Sequence, residues 1–213
     1  MTKPAQPIRL YRNALSGHAH RAELMLSLLG LPFEKIDVDL TKGAQKSPDF
    51  LAKNPFGQVP VIEDGGLTIA DSNAILVYLA TRYDESGRWL PRDPANAARV
   101  QQWLSVAAGQ LAFGPALARV IRVFGRKFDP AMPLAIAAQL YGIVEAHLSR
   151  SPFLVGDHPT IADVAMYSYT ACAPEGGISL QPYPNILAWL TRIEALPGFM
   201  AMPRANVPDA AVA

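Results

Sequence analysis

Asn54-Pro55-Phe56-Gly57-Gln58-Val59-Pro60-Val61-Ile62-Glu63-Asp64-Gly65-Gly66-Leu67-Thr68-Ile69-Ala70-Asp71-Ser72-Asn73-Ala74-Ile75 is the stretch on which the fold turns. Two short strand-like runs, Val59 to Glu63 and Leu67 to Ile69, flank Asp64-Gly65-Gly66. Glycine supplies the positive φ that a tight turn between twisted strands requires, so the pattern reads as a β-hairpin. Asp71-Ser72 then opens a helix from Asn73 to Tyr83, with Ile75, Leu76 and Leu79 as its buried stripe. Pro60 sits at a strand start, the place in a sheet where a missing N–H is tolerated.

Toward the N-terminus the same alternation continues. Ile8 to Tyr11 reads as a strand, and Ala19 to Leu29 as a helix stopped by Gly30 and Pro32. Phe33, Ile36, Val38 and Leu40 alternate with charges, which predicts a second strand to Leu40; Pro48 to Lys53 is a short helical segment. The order β-α-β-α-β-β-α implies a mixed four-stranded sheet covered by helices.

Toward the C-terminus the strand signal fades from about residue 93. Ala95 to Phe124 has helical spacing interrupted by Pro115, which should kink it. Further helices are expected at Ala131 to Leu148, Thr160 to Cys172 and Pro184 to Leu196. Asp84 to Pro94, with Gly87 and Pro91, reads as a linker, and the tail after Pro203 as frayed. The expected organisation is an α/β domain over 1–83, a linker over 84–94, and an all-α domain over 95–213.

Bulk properties exclude several classes. Lys and Arg total 19 against 18 Asp and Glu, a net charge of +1, which gives no reason to expect nucleic acid or an anionic membrane as partner. No uninterrupted apolar run approaches 18 residues, so no membrane span is expected. The first residues lack the charged start and apolar run of a secretory signal. Cys172 is the single cysteine, which fits a reducing, cytoplasmic compartment. The four histidines show no clustering with carboxylate or thiol, so no metal is expected.

Three motifs, in order and spacing, carry a resemblance: Asn54 to Pro60, Ile69 to Ile75, and Gly156-Asp157-His158-Pro159-Thr160-Ile161-Ala162-Asp163. Over roughly residues 7 to 200 the chain resembles the glutathione S-transferase superfamily, and looks most like its bacterial, serine-type, zeta- or theta-like members. The resemblance implies a thioredoxin-like N-terminal domain joined to an all-α C-terminal domain. It implies a detoxifying transferase that uses glutathione as co-substrate on a small hydrophobic electrophile, and a homodimer. Peroxide reduction, dehalogenation, isomerisation or non-catalytic glutathione binding on the same fold are the alternatives.

In such enzymes the residue before a cis-proline bonds the cysteinyl part of glutathione, which assigns that role to Val59. An acidic residue followed by serine or threonine holds the γ-glutamyl group, which assigns Asp71 and Ser72; Asn73 departs from the arginine many relatives carry there. Gln45, Lys46 and Gln58 are candidates for the glycine end. The thiol needs a donor, because a free thiol is only about 3% thiolate at pH 7. Ser16, five residues before Arg21, matches the serine of zeta-like members; Tyr11, Asn13 and backbone amides are its rivals. His18 stands where those members carry a cysteine and reads as either a surface residue or a ligand contact. Thr160 to Asp163 is a capping box without catalytic role. Phe113, Leu117, Val120 and Phe124 read as core more than pocket wall, with Arg119 and Arg122 facing either an acidic substrate or solvent.

Overall fold

A computed structural model describes residues 3–207 of the 213. Its sheet runs β2-β1-β3-β4, with β1 (Ile8–Arg12) parallel to β2 (Phe33–Asp37) and antiparallel to β3 (Val61–Asp64), which pairs antiparallel with β4 (Leu67–Ala70). Asp64 pairs with Leu67, so Gly65 and Gly66 form the turn, and Gly65 takes the positive φ of 60°. The second strand is shorter than its alternation suggests. Its last parallel partner is Arg12, paired with Asp37, and beyond it one bond remains, from Val38 N–H to the Arg12 carbonyl.

The period-two pattern of β1 and β3 divides their side chains between two cores. Ile8, Leu10 and Ile62 join α1 (Gly17–Leu28) and α3 (Ser72–Tyr83) in the main core. Tyr11 and Val61 join a smaller cluster with Val59 and with Phe50 of α2 (Pro48–Leu51). The smaller cluster forms the floor of the loop that precedes Pro60, so apolar packing sets the position of that loop.

The C-terminal half consists of α4 (Pro94–Ala108), α5 (Leu117–Phe124), α6 (Ala131–Leu148), α7 (Ile161–Ala171) and α8 (Pro184–Glu194). Pro115 falls within a π-helical turn, Ala112–Ala116, that joins α4 to α5, so the chain bends there without leaving helical geometry. Two segments, Pro94–Phe124 and Ala131–Leu148, reach the length and hydropathy of a membrane span, although neither is an uninterrupted apolar run. Each contributes residues to the main core, among them Leu104, Leu111, Leu140 and Val144. Every residue of α7 is buried, and it packs against α1, α3, α4 and α8.

The start of α7 explains how so apolar a helix is held. Thr160 Oγ1 accepts from Ala162 N–H at 3.3 Å, and Asp163 Oδ2 accepts from Thr160 N–H at 2.8 Å, the reciprocal capping box. Asp163 Oδ1 also accepts from Leu154 N–H at 3.0 Å and from Trp189 Nε1 at 2.9 Å, so one buried carboxylate joins α7, α8 and the loop before α7. Thr160→Ala is expected to lower stability by about 1 kcal/mol, read as a shifted urea midpoint with unchanged m-value. The tail is docked as far as residue 205: Arg204 Nη1 donates to the Ala171 carbonyl at 2.7 Å. The frayed end expected after Pro203 is thus corrected for these residues; 208–213 lie outside those described.

Candidate functional site

The β1–α1 loop, the loop before β3 and the β4–α3 junction meet in a groove of 620 Å³. Ser16, His18, Gln45, Gln58, Val59, Pro60, Asp71 and Ser72 all line it. Tyr11, Asn13 and Lys46 do not.

The loop before β3 has its shape fixed locally. Asn54, 3% exposed, donates from Nδ2 to the Gln58 carbonyl at 2.8 Å and accepts from Phe56 N–H at 3.1 Å. Gly57 has φ of 59°, and a Cβ there would stand 2.8 Å from the Gln45 carbonyl oxygen, so only glycine closes this turn. The Val59–Pro60 bond is cis. Among the described residues neither the N–H nor the C=O of Val59 has a backbone partner, which leaves both free for an extended peptide added as a strand.

Asp71 caps α3: its Oδ1 accepts from both Asn73 N–H and Ala74 N–H at 2.9 Å. It is the one non-glycine residue at positive φ among those described, at 74°. Its side chain is exposed, whereas Ser72 is buried. Ser72 Oγ accepts from Arg21 Nη1 at 3.1 Å. The same Nη1 lies 3.1 Å from His18 Nδ1. Because Arg21 can only donate, His18 Nδ1 is the acceptor and its ring proton resides on Nε2. Burial, with the Arg21 cation beside it, pulls the His18 pKa down to about 3. His18 is half-buried in the groove wall, so the surface reading is corrected.

Arg21 is 1% exposed, and its Nε and Nη2 have no partner among the described residues. Its only sequence signal was its offset from Ser16, which does not reveal a buried guanidinium beneath Ser72. Asn73, at the position where many relatives carry arginine, turns away: its Nδ2 donates to the Leu104 carbonyl of α4 at 3.0 Å.

Ser16 is the N-cap of α1, and its Oγ accepts from Ala19 N–H at 3.2 Å. A hydroxyl that accepts there keeps its own proton to donate elsewhere. The rivals are committed. Tyr11 O–H donates to Glu63 Oε2 at 2.9 Å, and burial followed by that carboxylate raises its pKa. Asn13 Nδ2 donates to the Val38 carbonyl at 3.3 Å while its Oδ1 accepts from Leu15 N–H, which makes it a brace of the loop. Lys46 is exposed and donates to the Phe56 carbonyl at 3.1 Å, so it braces the loop before β3. Gln45 Oε1 is buried without a hydrogen-bond partner among the described residues. Gln58 is exposed at the rim.

The run expected as core around α5 also differs. Phe113 and Phe124 are exposed and Leu117 and Val120 half-buried, so this run is not core. Arg119 is 1% exposed and faces neither solvent nor an open pocket; it pairs with Glu175. The sequence could not show this, because the partners lie on different elements.

His18 also yields a pH prediction. Its folded pKa lies below the unfolded value of 6.5, so below pH 6.5 the unfolded chain binds more protons and stability falls until about pH 3. The slope for one such group is about 1.4 kcal/mol per pH unit. The stability difference between wild type and His18→Gln is expected to shrink or reverse as pH falls from 7 to 4 in urea titrations; a pH-independent difference counts against the buried neutral histidine.

Comparison with known proteins agrees with this geometry. Residues 6–81 match the family described as Glutathione S-transferase, N-terminal domain, and residues 133–197 match Glutathione S-transferase, C-terminal domain. Glutathione S-transferase 3 of Zea mays is 36% identical, covering 91% of each chain. The crystal structure of a glutathione S-transferase from Pseudomonas fluorescens superposes with a TM-score of 0.87 at 36% identity, covering 92% of this chain and 99% of that one. A glutathione transferase homolog from Drosophila mojavensis, solved with bound glutathione, gives a TM-score of 0.81 at 30% identity, covering 90% of this chain and 89% of that one. With a thioredoxin-like half and a helical half both matched, the chain belongs to the glutathione S-transferase family.

Proposed function

We propose that this transferase binds glutathione extended along the groove and activates its thiol with Ser16. The observation that carries the reading is the convergence of Ser16, the free backbone of Val59 before a cis-proline, and the Asp71-Ser72 turn on one groove. The cysteinyl backbone pairs with Val59 N–H and C=O as an added strand would. The γ-glutamyl ammonium faces Asp71. Its carboxylate meets Ser72 and the N-terminal N–H groups of α3, above the buried Arg21 cation. Gln45, whose Oε1 is buried with no hydrogen-bond partner among the described residues, and Gln58 at the rim serve the glycine end; Lys46 supports the loop.

This arrangement puts the thiol near Ser16 at the N-terminus of α1. The hydroxyl proton and the helix dipole both favour the thiolate. Lowering the thiol pKa by two units needs about 2.7 kcal/mol, which one or two hydrogen bonds to a charged group supply. The thiolate then attacks an electrophilic carbon, forming a thioether and expelling the leaving group. The only cysteine, Cys172, is buried away from the groove, so a protein mixed disulfide has no thiol there.

The working protein is a homodimer in a reducing, cytoplasmic compartment, with a glutathione-binding domain over 1–83, a linker over 84–94 and a helical domain over 95–213. Phe56 is 78% exposed at the groove rim, an apolar side chain suited to cover by a second subunit. The test is turnover: conjugation of glutathione to a chlorinated aromatic, followed by absorbance, compared with hydroperoxide reduction. Conjugation at a rate indistinguishable from buffer, with rapid peroxide reduction, would overturn the transferase reading in favour of a peroxidase.

A further inference from the structure

We infer that Arg119 and Glu175 form a buried clamp that positions Ser16 for the glutathione thiol, and that this clamp is set from the helical half of the chain. The inference rests on the reading of Ser16 given above. Arg119, in α5, donates from Nε to Glu175 Oε2 at 2.7 Å and from Nη1 to the Leu15 carbonyl at 2.8 Å. Leu15 immediately precedes Ser16. Immediately after it, Gly17 lies so close to α7 that a Cβ would stand 2.7 Å from Cζ of Tyr169. The serine is therefore fixed between two contacts, and both come from helices of the C-terminal half.

On its own side Ser16 is held by the start of α1, its Oγ accepting from Ala19 N–H at 3.2 Å and its carbonyl from His20 N–H at 2.9 Å, but these bonds leave Leu15 to be held separately. Ser16 N–H donates to the Asn13 carbonyl at 3.0 Å, and Leu15 N–H to Asn13 Oδ1 at 3.1 Å, which close a turn but leave the Leu15 carbonyl to an outside donor. Arg119 fills that role with a planar fork that serves two acceptors at once, which a lysine ammonium on a flexible stem does less well. At its far end the clamp reaches the tail: Glu175 Oε1 accepts from Ala205 N–H at 3.4 Å and lies 3.8 Å from Arg204 Nη1.

A buried ion pair is weak evidence for stability, because its desolvation cost rivals its attraction. Holding the Leu15 carbonyl gives this pair a second role, in the orientation of the hydroxyl one residue on. Arg119 and Glu175 are thus positioning residues, acting on the sulfur only through Ser16.

The double substitution Arg119→Met with Glu175→Leu removes both charges while keeping apolar volume, a type of swap that folded proteins tolerate. Arg119→Lys is the second variant, since it keeps the charge. The readout is thiolate absorbance of the glutathione complex across pH, with kcat and KM for conjugation. In each folded variant the bound thiol pKa should rise by about one unit and kcat at pH 6.5 should fall about fivefold, while KM for glutathione stays within a few-fold. A purely structural pair would leave the pKa unmoved, and an unmoved pKa in Arg119→Lys overturns the clamp. A wild-type complex without any thiolate band overturns the reading of Ser16 as well, whereas a wild-type band with an unchanged variant overturns the clamp alone.

Discussion

Ser16→Ala is expected to raise the pKa of the bound glutathione thiol by about two units and to cut conjugation about 50-fold at pH 6.5. With a thiol pKa near 6.5 about half the bound ligand is thiolate at that pH, and near 8.5 only about 1% is. The deficit should shrink as pH rises past the new pKa, because hydroxide then does what the serine did. This pH dependence separates loss of a thiol donor from general damage. Ser16 also caps α1, so the variant should lose about 1 kcal/mol of stability, a cost that appears in unfolding and not in the pH–rate curve. Ser16→Thr retains both functions and should stay near wild type in thiol pKa. Glutathione affinity should remain within a few-fold, since the γ-glutamyl and cysteinyl contacts lie elsewhere. A wild-type titration curve in Ser16→Ala transfers the role to the α1 backbone amides.

The hairpin was readable because its cause is local: Gly65 takes positive φ and the flanking residues pair directly across it. The capping box at Thr160 was readable for the same reason. Strand β2 was read too long because its end depends on where its partner ends, and alternation at Val38 and Leu40 carries no knowledge of Arg12. Pro115 announced an interruption, but a widened helical turn and a broken helix share that signal. The groove-lining segments were legible because each is a short motif with its own backbone chemistry. His18, Arg21 and Arg119 were not, because their states depend on long-range partners. Arg21 lies against the ring of Tyr169, and Arg119 pairs with Glu175. Composition marks such residues as surface charges; only the closed fold makes them buried ones.

Asp71 tests the other end of the ligand, and the choice of substitution decides what is learned. Asp71→Ala would remove the N-cap, worth about 1 kcal/mol, and place alanine at a φ of 74°, which it adopts poorly. Loss of affinity in that variant mixes helix damage with lost charge. Asparagine keeps a capping oxygen for Asn73 N–H and Ala74 N–H and tolerates positive φ, so Asp71→Asn removes little but the charge. A hydrogen bond to a charged group contributes about 1.5–3 kcal/mol, so calorimetry on Asp71→Asn should give a glutathione Kd about 10- to 100-fold weaker, with the unfolding midpoint nearly unchanged. A glutathione analogue lacking the α-amino group closes the cycle. Wild type should bind it as weakly as the variant binds glutathione, and the variant should scarcely distinguish the two ligands. Wild-type affinity in Asp71→Asn, or equal discrimination by both proteins, places the ammonium on some other acceptor and leaves Asp71 as a helix cap alone.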